Sequence, residues 1–129
     1  MTAPAVFQKK ERVVSQKLID ELFDGGHSHS MAAFPLRVIF MHTEHQEGQP
    51  PVQVLISVPK KRFHHAVDRN RVKRQIREAY RRQKSLLADK VPPTQILVIA
   101  FVWLSDQLQP SAEIDRRVKN LLERIAKRF

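Results

Sequence analysis

One stretch of the chain restricts its fold more than any other: a helical pattern over residues 65–87. Along one side, apolar and neutral residues recur at the spacing of an α-helix, and no proline or glycine interrupts the run. That side consists of Val72, Ile76, Ala79, Tyr80, Gln83 and Leu87. The opposite side carries Asn70, Arg74, Arg77 and Arg81, with Lys73 and Lys84 beside them. Such a helix requires an apolar core beneath it and either water or a polyanion above it.

The positive charge of the chain is concentrated in this region. The net charge is +10, and residues 60–84 hold 11 of the 23 basic residues but only 2 of the 13 acidic ones, Asp68 and Glu78. A helix face that is merely solvated usually mixes the two signs, with acids four residues before bases. The imbalance therefore favours an anionic partner, above all a nucleic acid, over a solvated helix face.

Length and composition limit the remaining choices. The 129 residues fit one domain, residues 1–129, in which residues 1–14 form a loosely ordered arm. The absence of cysteine excludes disulfides, zinc ribbons and thiol catalysis. Without an apolar run long enough for a membrane helix or a signal-peptide pattern, we expect a cytoplasmic protein with no membrane partner.

Periodicity along the chain predicts three helices and three strands. Ser15 caps a helix over residues 16–24, which Gly25 and Gly26 end and whose apolar stripe is Leu18, Ile19, Leu22 and Phe23. Strands are predicted over residues 34–41, 52–58 and 94–103, with residues 42–51 as a hairpin loop and the third strand central in the sheet. A last helix starts at Ser111. The order α-β-β-α-β-α predicts a two-layer α+β domain with a small mixed sheet.

No residue pattern indicates a catalytic site. The three glycines form no phosphate-binding loop, and no nucleophile elbow or zinc-protease motif is present. A polar loop is predicted over His27, Ser28, His29 and Ser30. Its two histidines could start a metal site, but no third ligand lies nearby, which favours a plain loop. His64 and His65 could serve as acid or base, although a pair that forms hydrogen bonds or contacts phosphate is the better interpretation. We therefore expect no catalytic residue and no metal ligand in the protein itself.

The residues of the basic helix resemble a known family. Lys60-Lys61, then Ala66-Val67, then Arg69-Asn70-Arg71, Lys73-Arg74 and Arg77 are similar to the signature of the protein subunit of bacterial ribonuclease P, and the order of elements matches over nearly the whole chain. The resemblance implies a left-handed βαβ crossover, as in domain 2 of ribosomal protein S5. This handedness departs from the general rule that crossover connections between parallel strands are right-handed.

The resemblance also implies a function. The family's subunit joins a catalytic RNA in a ribonucleoprotein endonuclease that removes the 5′ leader of precursor tRNA. Mg²⁺ ions, held mainly by the RNA, take part in the hydrolysis, and the protein supplies binding rather than chemistry. The positions implied to bind the catalytic RNA are Lys61, Arg69, Asn70, Arg71, Lys73, Arg74, Arg77 and Arg81.

A second set of positions is implied to bind the single-stranded leader, in a cleft between the sheet and the first helix. These positions are Ile19, Phe23, Arg37, Ser57 and Lys60. Three features depart from the family pattern: Ile19 and Arg37 stand where aromatic residues are common, and the connector over residues 62–65 lacks a glycine. At Arg37 the departure shifts the expected contact from stacking towards charge.

Alternative functions remain open from the residues alone. The chain could be a general structured-RNA or ribosome-binding module without a role in processing. A DNA-reading helix is disfavoured, because such helices usually pair with a second helix or a zipper, whereas strands flank this one on both sides. A membrane-surface helix is disfavoured because the apolar side has a domain to pack against.

Overall fold

The computed structural model of the chain describes residues 16–24, 26–44, 48 and 50–128. Helix α1 spans Gln16–Asp24 and is followed by strands β1 (His29–Ala33), β2 (Leu36–Glu44) and β3 (Val52–Ser57). Helices α2 (Ala66–Gln83) and α3 (Ser85–Ala88) lead to strand β4 (Gln95–Trp103) and helix α4 (Ser111–Ala126). The predicted helix over residues 16–24 and the start at Ser111 are confirmed. The predicted cap Ser15 and the arm over residues 1–14 lie outside the described residues.

The four strands form one mixed sheet in the order β1-β2-β4-β3. Strands β1 and β2 pair antiparallel, as do β2 and β4, whereas β3 and β4 pair parallel. Strand β4 is central, as its uninterrupted apolar sequence predicted, and Ile96 through Phe101 are all buried. The parallel strands β3 and β4 are joined through α2, which gives the predicted βαβ unit. The left-handed sense of this crossover stays a prediction.

Two expectations about the strands are wrong. Residues 29–33, assigned partly to a polar loop, form strand β1, so the order of elements contains a strand that the sequence did not predict. Strands β2 and β3 are not neighbours, because β4 lies between them, and the loop over residues 42–51 therefore closes no hairpin. The hairpin instead joins β1 and β2 across Phe34-Pro35, whose peptide bond is cis.

The sheet buries both of its faces. On one face, Leu36, Val38 and Phe40 of β2 join α2, α3 and α4 in the main hydrophobic core. On the other face, Met41, Val98 and Ala100 form a smaller cluster with Leu22 of α1. Helix α1 thus adds a partial third layer to the two-layer arrangement that the sequence predicted. Residues of alternate parity along a strand face opposite layers, as the pleat requires.

The long basic helix is shorter than predicted. Helix α2 ends at Gln83, Lys84 lies between the two helices, and Leu87 belongs to the separate single turn α3. Leu87 is nevertheless fully buried in the main core, so the apolar stripe continues across the break. Val72, Ile76, Ala79 and Tyr80 are the buried residues of α2, which confirms the predicted underside.

Candidate nucleic-acid interface

The outer face of α2 is cationic and open to solvent. Asn70, Arg71 and Arg74 are exposed, and none of them has a hydrogen-bond or ion-pair partner within the described part of the chain. Arg74 lies about half a helical turn around the axis from the buried Val72. Three side chains with free donors therefore stand on the side of the helix that faces away from the core.

The underside of α2 fixes this face in place. Tyr80 is 1% exposed and its ring lies 6.2 Å from that of Phe101 on the central strand, measured between centroids. Ile76 and Val72 are fully buried in the same core. Burying such a side chain contributes roughly 1.5–3 kcal/mol, so the apolar side anchors the helix without help from the charges of its outer face.

Polar contacts attach α2 to α4 along one flank. The Gln75 side-chain amide donates to the Gln109 carbonyl and to the Ser111 hydroxyl, both at 3.0 Å. The guanidinium of Arg82 donates to both carboxylate oxygens of Asp115, at 2.8 and 3.0 Å. Because Arg82 is engaged with a neighbouring helix, it belongs to the packing of the domain rather than to the open cationic face.

Arg69 also points back towards the protein. Its Nη1 group donates to the carbonyl oxygens of Phe63 at 2.8 Å and His64 at 3.2 Å. A second arginine, Arg62, holds the same connector through an ion pair of 3.3 Å with Asp106. The glycine-free connector before α2 is therefore fixed by two guanidinium groups, which place His64 and His65 beside the start of the basic helix.

One acid interrupts the cationic face. The carboxylate of Glu78 accepts hydrogen bonds from Nε and Nη2 of Arg81 at 3.1 and 2.9 Å. Hydrogen bonding to Arg81 lowers the pKa of Glu78, and partial desolvation of the carboxylate opposes this shift. The positive charges of Arg81, Arg82 and Arg77 lower the pKa further. Glu78 is therefore ionised at neutral pH and neutralises part of the charge of Arg81.

The eight residues implied to bind RNA thus differ in availability. Lys61, Asn70, Arg71 and Arg74 are exposed, whereas Arg69, Lys73, Arg77 and Arg81 are half-buried. Their contact with RNA stays a prediction. The structure adds that Arg69 contacts the connector and Arg81 contacts Glu78, neither of which the sequence pattern showed.

A second surface lies on the α1 side of the sheet. Arg37 of β2 and Ser57 of β3 each pair with Val102 of the central strand, so the three residues form one row across the sheet. The neighbouring row, Ile39, Ala100 and Leu55, packs against α1. Two polar side chains with an apolar residue between them therefore lie immediately beside the part of the sheet that α1 covers.

Helix α1 contributes both buried and exposed groups to this side. Ile19 is half-buried in the smaller core, whereas Phe23 is 44% exposed. Lys60 is exposed in the turn that follows β3. Of the five positions implied to bind the leader, the sheet brings Arg37 and Ser57 into one row; the role of all five stays a prediction.

Ser30 is a polar residue of this surface that the sequence did not indicate. Its hydroxyl accepts a hydrogen bond of 2.9 Å from Nε of Arg37. Ser30 pairs with Ile39 across β1 and β2 and therefore faces the same side as Arg37. Its assignment to the polar loop over residues 27–30 hid this relation, because Met31, Ala32 and Ala33 after it show no polar–apolar alternation.

Among the residues that the structure describes, no three His, Asp or Glu side chains are grouped so that they could hold a metal ion. His27 and His29, considered as a start of such a site, are both exposed, and His29 lies in β1 with its ring 5.4 Å from that of Phe40. No helix within the described ranges is long and apolar enough to cross a membrane.

Comparison with known proteins decides the family. The model of the ribonuclease P protein family matches residues 7–126. The chain is 42% identical to the ribonuclease P protein component of Porphyromonas gingivalis over 130 aligned positions, which cover 98% of this chain and 92% of that one. The chain belongs to the ribonuclease P protein family. It is the RNA-binding protein component of ribonuclease P and serves tRNA processing.

Solved structures of ribonuclease P proteins share the fold. The protein from Thermotoga maritima superposes with a TM-score of 0.65 at 21% identity, over 91% of this chain and 97% of that one. A Staphylococcus aureus ribonuclease P protein mutant with defective mRNA degradation activity gives a TM-score of 0.66 at 23% identity, over 92% and 90%. The α+β fold expected from the resemblance is thereby confirmed.

Proposed function

We propose that this subunit binds the catalytic RNA of ribonuclease P through the outer face of α2 and the 5′ leader of precursor tRNA through the α1 side of the sheet. In this proposal the RNA performs the hydrolysis in the cytoplasm and the protein contributes no catalytic residue. The observation that carries the proposal is the set of exposed donors on α2, Asn70, Arg71 and Arg74, for which the described part of the chain offers no partner.

These side chains suit a folded RNA. A guanidinium presents a planar fork of donors that matches phosphate oxygens, and the adjacent amide of Asn70 can both donate and accept, as base edges require. Residues 70–77 extend about 10 Å along the helix. A rigid, closely spaced row of donors is better matched to the crowded phosphates of a folded RNA than to a flexible strand.

Within the described residues, helix α2 offers few oxygen ligands for Mg²⁺. Mg²⁺ prefers several oxygen ligands in octahedral geometry, and the acids of α2 are Asp68 and Glu78, of which Glu78 already accepts two hydrogen bonds from Arg81. We therefore assign the metal ions mainly to the phosphates of the RNA. The cations of α2 would lie beside those phosphates without replacing the metal.

The α1 side of the sheet suits a single strand. Phe23 offers an exposed ring on which a base can stack, a contact worth roughly 1–3 kcal/mol, and Arg37, Ser57 and Lys60 offer donors. Helix α2 belongs to the opposite layer of the sheet. One protein can therefore contact the catalytic RNA and the leader at the same time without competition.

Reconstitution tests the proposal. The purified protein should increase cleavage of precursor tRNA by its cognate RNA at low Mg²⁺, and Arg37→Ala should weaken binding of precursor more than binding of mature tRNA. Unchanged cleavage on addition of the protein would refute the processing role. Equal affinity for the catalytic RNA and for an unrelated structured RNA would instead favour the alternative of a general RNA-binding module.

A further inference from the structure

The contact between Ser30 and Arg37 fixes one edge of a guanidinium group. Nε of Arg37 donates to the Ser30 hydroxyl at 2.9 Å, and within the described residues Arg37 has no other hydrogen-bond or ion-pair partner. Its two terminal nitrogens, Nη1 and Nη2, keep their donors free. The hydrogen bond at Nε restricts the orientation of the guanidinium and leaves its terminal edge directed away from Ser30.

The surroundings of this edge suit a base more than a phosphate. The residue beside Arg37 in the row is Val102, half-buried and apolar, and Ser57 follows on its far side. Phosphate sites usually gather several cations, whereas this row contains a single one. The apolar side chain of Val102 can contact the flat face of a base. The guanidinium of Arg37 and the hydroxyl of Ser57, on either side of it, can form hydrogen bonds with the edge of that base.

We propose that Arg37, positioned by Ser30, recognises a guanine in the single-stranded 5′ leader. Guanine presents two acceptors side by side, O6 and N7, which match the two terminal nitrogens of a guanidinium. Adenine presents a donor where guanine presents O6, and therefore fits the fork poorly. The inference rests on the proposed binding of the leader to this side of the sheet and adds to it a specificity-determining residue and its positioning residue.

The experiment uses the reconstituted holoenzyme and a series of precursor tRNAs whose leaders are entirely adenine except for one guanine, moved through each position in turn. The wild-type protein should favour guanine at one position by about tenfold over adenine. Replacement of that guanine by 7-deazaguanine, which lacks the N7 acceptor, should abolish most of the preference. Arg37→Ala should remove the preference entirely.

Variants of Ser30 separate positioning from stability. Ser30→Ala should lose most of the guanine preference, and Ser30→Thr, which keeps the hydroxyl, should retain it. In the Arg37→Ala background, Ser30→Ala should have no further effect on discrimination. Ser85→Ala removes a hydroxyl from the start of α3, away from the sheet surface, and is the matched control that should behave as wild type.

Three results would overturn the inference. Wild-type protein could show no guanine preference at any position, Ser30→Ala could keep the full preference, or Arg37→Ala could weaken all leaders equally, as loss of a phosphate contact would. In each case the protein would still stimulate cleavage, and the proposed function would stand. Failure of the wild-type protein to stimulate cleavage would refute the proposed function itself.

Discussion

Helices α2 and α4 are both amphipathic and both rich in basic residues, yet their outer faces differ. On α4, Arg116 and Arg117 both contact Glu113, and Lys119 lies 4.0 Å from Glu123. On α2, Arg71 and Arg74 have no acidic partner within the described residues. The two helices therefore differ in how many of their positive charges remain available to a partner, although both carry several basic residues.

The undersides of the two helices, in contrast, are equivalent. Ile76 of α2 and Leu121 of α4 are both fully buried in the main core. Ile76→Ala and Leu121→Ala should each lower the free energy of unfolding by roughly 2–5 kcal/mol, because each removes buried methyl groups and leaves a cavity. Chemical denaturation of each variant measures the change in the free energy of unfolding. A loss below 1 kcal/mol at either site would show that the helix is held by something other than its apolar side.

The acids of the two helices should differ in their effect on RNA binding. Glu78→Gln removes the carboxylate that engages Arg81, and we expect it to increase affinity for the catalytic RNA by about three- to tenfold, since one more cation becomes available to a phosphate. Glu123→Gln on α4 is the matched control and should change affinity by less than about twofold. Filter binding at a fixed salt concentration compares the affinities of the two variants for the RNA. Equal gains for both variants would show that only net charge matters.

The smallest expected effect concerns pH. It arises at His42 of β2, which is not part of the outer face of either helix. Burial lowers the pKa of His42 below 6.5, and the nearby His29 adds to the shift. The unfolded chain therefore binds a proton more readily than the folded one, so stability should fall as the pH drops below about 6.5. His42→Gln should flatten this part of the profile, which chemical denaturation at a series of pH values measures. An unchanged profile in His42→Gln would contradict the assignment.

Much of the fold followed from periodicity. The apolar spacing in α2 is a local property, and it predicted the buried side of that helix correctly. The apolar run of β4 predicted a central strand because only burial on both faces explains it. Strand β1 was missed because His29 and Ser30 are polar on an edge strand, and the false hairpin followed from pairing consecutive strands.

The interface was less accessible to sequence reasoning. The pattern identified the cationic helix and, through the family resemblance, Arg37 and Ser57. It did not show that Arg69 contacts the connector, that Arg82 contacts Asp115, or that Ser30 holds Arg37. These contacts join residues brought together by pairing and packing, and a side chain's partner decides whether its charge is available.

The most direct test of the account compares two double variants that remove the same charge from different helices. Arg71→Ala/Arg74→Ala on α2 and Arg116→Ala/Lys119→Ala on α4 each remove two positive charges. Affinity for the catalytic RNA is measured over a range of salt concentrations, and the slope of log affinity against log salt is determined for each protein. The α2 variant should bind about 100-fold more weakly, with a slope reduced by about 1.4–1.8, while the α4 variant stays within about threefold of wild type. Equal losses and equal slopes for the two variants would contradict the account.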